Sequence, residues 1–248
     1  MISIEQLTRL KNQFILKNES ISFPNLEVVK QLNSFGYNNT NIINSIFSSN
    51  IEGNSMDINS YFNFNPGSSK TKEKSEIDDL AQAYDFAMNN QLNEKNFLKA
   101  HKIISSGFLE PFQQGKYKTI QNGLFGTMGL IYLAAPVENT SPEMKSLFEL
   151  ISTITPESDI EILFYSSMFH MILAHIHPFA DGNGRSARLL QKWYLAKHVG
   201  VLGFHIPLEE FYKKNRDKYY KSLNLGPNYF ELNYDRSKEF CNFSINVF

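Results

Sequence analysis

Residues 177–188, "HPFADGNGRSAR", bring together a histidine, a carboxylate, a Gly-Asn-Gly turn and two arginines. The apolar segment 160–176 must stop at Pro178, because the residue before a proline is pushed out of the helical region. A new helix begins near Gly184, so residues 177–183 form a short loop between two helices. Gly182 and Gly184 let a ligand approach the main chain closely. A helix starting there points unpaired N–H groups into the loop, an anion site worth about 0.3–1 kcal/mol per favourable charge. Arg185 and Arg188, three apart, share a helix face and suit more than one phosphate. Asp181 is the odd residue in so positive a site; a carboxylate beside phosphates commonly works through Mg²⁺. His177 can serve as general base for an incoming hydroxyl, and Phe179 is expected to point into the core. Together these parts describe a nucleotide-polyphosphate transfer site.

Each residue taken singly has a duller explanation. A histidine before proline is commonly structural, an i, i+3 arginine pair is commonly a solvated face, and Gly-Asn-Gly is commonly only a turn. The rival chemistry is a metal site from His170, His175, His177 and Asp181. Its spacing is poor, since His170 and His175 lie about 500° apart around a helix and diverge by about 140°. Those two histidines are expected to pack or to brace the loop.

The elements that must position this loop are mostly helical. Residues 3–17 carry Ile4, Leu7, Leu10, Phe14 and Ile15 at helical spacing. Residues 26–54 read as helix with a break at Gly36, a fresh start capped by Thr40 and an end near Gly53. Residues 59–75 combine Pro, Gly, Ser and charge and read as a surface connection. The expected division is an N-terminal segment, 1–75, and a main domain, 76–248. In the latter, helices are expected from a capping Ser75, over 93–109, 141–153, 158–176 and 184–200, and as one piece over 208–224. Between them "YKTIQNGLFGTMGLIYLAAP" has glycines among short runs of β-branched and aromatic residues, the pattern of a β-hairpin or flap. The fold class is mainly α with one small β element.

Composition bounds the rest. The chain has 248 residues, 20% of them charged, and a formal net charge of −1, which argues against a broad surface for nucleic acid or a membrane and leaves room for local positive sites. Cys241 is the single cysteine, so an intrachain disulfide and a cysteine zinc cage are excluded. No span approaches about 20 apolar residues. A soluble, cytoplasmic protein is expected.

The loop resembles the signature of the Fic family, H-x-F-x-(D/E)-G-N-G-R-x-x-R, at every fixed position: His177, Phe179, Asp181, Gly182, Asn183, Gly184, Arg185 and Arg188. The resemblance runs from about Glu76 to Leu223, through "EIDDLAQAYDFA", "LKAHKIISSGFLEPFQQGKYK" and "NRDKYYKSL"; Lys118 departs from the arginine common in "GxYR". It implies a Fic-type helical bundle and protein adenylylation, the transfer of AMP from ATP to a Ser, Thr or Tyr hydroxyl of a target protein, the chain itself included. Under it His177 is the base, Asp181 holds Mg²⁺, the 182–184 backbone and Asn183 grip the phosphates, and Arg185 and Arg188 hold the β and γ phosphates. The flap, within residues 117–134, docks the target as an added strand. Gly182 and Gly184 separate the chain from a kinase-like branch with Ala-Asn-Lys there. Transfer of UMP or phosphocholine, removal of AMP, or nucleotide binding with little turnover stay open, as does a homodimer.

Upstream, "SSNIEGN" resembles the family's inhibitory motif (S/T)-x-x-x-E-(G/N), with Ser48, Glu52 and Gly53. The resemblance implies an inhibitory helix in the same chain, whose Glu52 pairs with Arg188 and leaves ATP misaligned.

Overall fold

The computed structural model describes residues 2–18, 39–65, 67, 71–126 and 129–247. Its centre is α7 (Asp159–Ile176), which is buried along nearly its whole length. The sequence "DIEILFYSSMFHMILAHI" is apolar on every side, so the helix has no face to give to water. Ser158 caps it through the Glu161 N–H. Its C-terminal loop leads directly into α8 (Asn183–Val199), which packs back along it and is also mostly buried.

The other elements wrap this pair. α1 (Ile4–Asn18) lays Leu7, Leu10 and Phe14 against α7, with the Phe14 and Phe164 rings 5.4 Å apart. α2 (Thr40–Ile51) lies on α4 (Lys72–Met88) and on α10 (Leu208–Lys214). α3 (Ile58–Phe62) is a short surface turn, and α5 (Glu94–Ile104) packs on α4. The antiparallel hairpin β1 (Gly123–Gly126) and β2 (Gly129–Leu133) follows, with a register shift after Leu124. Tyr132 is the one buried residue of β2. α6 (Val137–Thr153) packs on α7; α9 (Leu202–His205), α11 (Arg216–Leu223) and α12 (Ser237–Ser244) complete the chain. Leu7, Leu10, Phe14 and Ile51 join the same hydrophobic cluster as α7 and α8.

Several sequence expectations need correction. Asn39, not Thr40, stands at the cap of α2; the Thr40 hydroxyl instead meets His205 Nδ1 at 2.9 Å. α4 starts at Lys72, where Thr71 accepts the Lys74 N–H and Lys74 pairs with Asp78 one turn on; Ser75 is already inside the helix. The connection expected over 59–75 overlaps α3, which begins at Ile58 and is capped by Asp57. The span 208–224 is two helices, broken at Asn215, whose side-chain amide donates to Phe211 O at 2.9 Å. An asparagine that bonds its own backbone competes with the helix ladder. The helix expected over 93–109 stops at Ile104. The break expected at Gly36 lies outside the described residues.

Candidate functional site

His177 closes α7 in the left-handed region, φ 50 and ψ 60, the one non-glycine residue with positive φ among those described. Such a conformation is costly and persists where the surroundings over-determine it. Two residues on, Phe179 is fully buried and stacks on His101, centroids 3.5 Å apart. Asn183 staples the loop from inside: its Oδ1 accepts from Phe179 N at 2.8 Å and its Nδ2 donates to Phe179 O at 2.9 Å. Gly182 has φ 80, and a Cβ there would also press on the Phe108 ring at 3.2 Å. The first intrahelical bond of α8 runs from Ser186 N to Gly182 O, so the N–H groups of 183–185 precede the ladder. They sit at a cavity of about 680 Å³ whose lining includes His177, Asp181, Gly184, Arg188, Tyr220 and Asn224.

The two arginines have different surroundings. Arg185 is 5% exposed; it lies 3.9 Å over the Phe108 ring, 3.6 Å from Glu76 and 4.0 Å from Asp181. Burial pulls its pKa down, and its Nε has no acceptor among the described residues. Arg188 is 1% exposed and fully engaged by α2 and α11. Its Nε donates to Ser48 Oγ at 2.8 Å, one terminal nitrogen to Ser48 O at 3.0 Å and Glu52 Oε1 at 2.7 Å, the other to Tyr219 OH at 3.3 Å. Burial opposes its charge, but Glu52, then Tyr219 and Tyr220, more than offset it, so Arg188 is held above its ordinary range. A Cβ at Gly184 would collide with Glu52 Oε1; the Glu52 carboxylate therefore rests against the start of α8, where an anion is favoured.

The C-terminus of α2 is held by cations from three helices. Besides Arg188 on Ser48 O, Lys213 donates to Asn50 O and Arg216 to Ile51 O, each at 3.0 Å. These are the carbonyls that a helix end leaves unpaired, and positive charge there complements the helix dipole. Gly53 follows with φ 103.

The remaining sequence candidates fall at the same place. The Asp181 side chain is 64% exposed, with Oδ1 accepting from Gly182 N at 2.6 Å. Among the described residues no group of three or more His, Cys, Asp or Glu could hold a metal. A single open carboxylate beside free backbone N–H groups still fits Mg²⁺, which draws its other ligands from phosphate and water. His170 and His175 are committed elsewhere: His170 bonds Gln191 and Tyr219, and His175 Nδ1 bonds Met171 O. Burial pushes His177 down to about 4; Lys118 adds to this, and a backbone bond to Ala174, Glu52 and Asp181 act against it.

Comparison with known proteins gives this geometry a family. The model of the Fic/DOC family matches residues 91–195. The chain carries a Fic-family domain. It is 32% identical over 153 residues to protein adenylyltransferase Fic of Drosophila erecta and 29% over 154 residues to that of Drosophila virilis. Each match covers 60% of this chain, which spans only 28% of the length of those relatives. A crystal structure of a Fic family protein from Desulfovibrio desulfuricans superposes with TM-score 0.71 at 22% identity, over 100% of this chain and 72% of that one. Fic-1 from C. elegans superposes with TM-score 0.61 at 18% identity, over 98% of this chain and 67% of that one. No helix among the described residues is long and apolar enough to cross a membrane.

Around this Fic-domain loop stand residues to which sequence reasoning gave no role. His101 Nδ1 accepts from Gly115 N at 3.1 Å, which leaves Nε2–H to donate to Asp181 O at 3.0 Å. Burial keeps this histidine neutral, near 4. Tyr219 bridges Arg188 to His170, and Phe108 is the platform for Arg185. "LKAHKIISSGF" and "KYYKS" contain these residues, but their partners are loop backbone and distant side chains, which a linear reading does not see.

Proposed function

We propose that the chain is a protein adenylyltransferase held in a self-inhibited state by α2. The supporting observation is convergence: His177, Asp181, Arg185 and Arg188 meet at one cavity around the open N-terminus of α8, and Glu52 occupies the arginine end of it. In this reading the hydroxyl oxygen of a target Ser, Thr or Tyr attacks the α-phosphorus of ATP. A P–O bond to the target forms, the α–β anhydride bond breaks, and pyrophosphate leaves. The hydroxyl proton passes to the neutral His177 ring. The N–H groups of 183–185 and the guanidiniums of Arg185 and Arg188 hold phosphate oxygens, while Asn183 shapes the loop. Asp181 would hold Mg²⁺, which supplies neutralisation of the phosphate charge. The hairpin offers the target a strand edge. A second copy of the chain is an admissible target, and the cytoplasm, where ATP and unmodified proteins meet, is the compartment of this reading.

The test is incubation of the Glu52→Gly protein, in which the proposed inhibition is removed, with Mg²⁺ and α-labelled ATP, with UTP and CDP-choline as parallel donors, followed by mass spectrometry of the chain and of added lysate proteins. AMP on a hydroxyl side chain is the expected adduct. A UMP or phosphocholine adduct in its place, or binding of ATP with no adduct, refutes the assignment.

Arg185 gives a sharper check on the phosphate assignment. Arg185→Ala should weaken triphosphate binding by about 10–100-fold, from the loss of a charge-assisted bond of about 1.5–3 kcal/mol. Adenosine binding should be nearly unchanged. Calorimetry with both ligands measures this; equal losses for the two would mean that Arg185 does not touch phosphate.

A further inference from the structure

The loop that carries His177 is held from outside almost carbonyl by carbonyl, and the holders belong to the root of the hairpin. Tyr132 OH donates to His175 O at 2.9 Å. Lys118 Nζ donates to Ile176 O at 3.4 Å, and Lys118 N to Pro178 O at 2.8 Å. Asn122 Nδ2 donates to Phe179 O at 2.8 Å. Lys118 and Asn122 are themselves joined, Nζ to Oδ1 at 2.7 Å. Asn122 immediately precedes β1, and its carbonyl accepts from Ala134 N just beyond β2, closing the hairpin.

Lys118 is the unusual member. It is 5% exposed, and no salt bridge reaches it among the described residues. Burial pulls it down to about 8. A buried ammonium without a carboxylate is costly, and here it spends its hydrogen bonds on the last carbonyl of α7 and one hairpin-root side chain. We infer that Lys118 is a positioning residue for transfer, tying the hairpin to both sides of His177 so that a segment docked on the hairpin presents its hydroxyl in register with the His177 ring.

This rests on the adenylyltransferase reading. Its physical content is that His177, in a left-handed conformation that few side chains favour, keeps its place because residues 176 and 178 are tied on either side of it. The charges facing its ring are Lys118 from the hairpin root, Glu52 from α2 and Asp181 from its own loop. Lys118 opposes the imidazolium; the two carboxylates favour it.

The experiment uses Lys118→Met, which keeps length but loses donor and charge, and Lys118→Arg, which keeps both. Transfer is measured in a Glu52→Gly background, and the His177 ring is titrated by NMR in the otherwise unaltered chain. Lys118→Met should lower kcat by roughly 10–100-fold, as a misplacement of about 1 Å would, with KM for ATP within about twofold. It should also raise the His177 midpoint by about one unit. Lys118→Arg should restore both. A kcat unchanged in Lys118→Met, or a loss shared by Lys118→Arg with His177 unmoved, overturns the inference. If the Glu52→Gly parent transfers nothing, the functional reading fails, and the His177 titration alone decides whether Lys118 acts on this loop. If Lys118→Met does not fold, Asn122→Ala cuts the same tie from the hairpin side, and an unchanged kcat there overturns the inference.

Discussion

Replacing His177 with alanine is expected to lower AMP transfer by about 10²–10⁴-fold, the span that a positioned general base contributes, while ATP affinity stays within a few-fold. In the proposed reading phosphate contacts rest on other groups, so binding should survive. Alanine is poorly suited to the left-handed conformation at this position, and the loop could shift for that reason alone. His177→Asn separates the two effects, because asparagine tolerates that region yet cannot take the proton. Both variants should fall by similar factors; near-normal transfer by either removes His177 from the chemistry. The pH profile carries the same assignment. A ring near 4 is neutral at pH 7, the form a base needs, and activity is lost as pH falls through that value. Bound polyphosphate places negative charge beside the ring and favours the imidazolium. The acid limb of kcat, which reports the nucleotide complex, should therefore lie at higher pH than the limb of kcat/KM, which reports the free enzyme. Coincident limbs would place the phosphates away from His177.

The loop was legible in the sequence because its parts are contiguous: a proline to stop one helix, glycines to turn, and the polar groups of the next helix start. The hairpin was legible for a similar reason, since glycine spacing and β-branched runs are local signals. Arg185 and Arg188 show where a linear reading runs short. Three residues apart on a helix means about 60° around the axis, close enough to share a face. That angle still suffices to set one on Phe108 and Glu76, and the other beneath Ser48 and Glu52. The contacts of His101, Lys118 and Tyr132 were invisible for another reason. Each of the three bonds a backbone carbonyl of the loop or of the last turn of α7, and every residue has a carbonyl, so the acceptor leaves no mark on the sequence. The break at Asn215 was missed because the apolar period continues across it; a side chain bonding its own backbone decided against one helix there.

The substitution Glu52→Gly should raise adenylylation, self-modification included, by on the order of 100-fold, the penalty that misalignment of about 1 Å can impose. The structure sharpens the reason. Glu52 is not the buried partner of the pair: its side chain is 34% exposed, whereas that of Arg188 is 1% exposed. The carboxylate takes one guanidinium nitrogen and rests against Gly184, the place where a terminal phosphate would sit on α8. In the proposed reading ATP enters such a site with its phosphates displaced and its α-phosphorus off line for attack. Removing Glu52 frees one N–H of that nitrogen, whose other N–H stays on Ser48 O, and leaves Arg188 buried on Ser48 and Tyr219. A charge-assisted bond is worth about 1.5–3 kcal/mol, toward the low end here because the carboxylate meets solvent. The nucleotide-free Glu52→Gly protein should therefore melt a few degrees below the unaltered chain, and ATP should raise its Tm by more than it raises that of the unaltered chain, since phosphate replaces the lost anion. Lys213 and Arg216 still hold the end of α2, so the gain in activity should come without release of the helix, and protection of the α2 amides from hydrogen exchange should persist. A Glu52→Gly protein that folds, binds ATP and is no more active than its parent would show that Glu52 only caps a helix end.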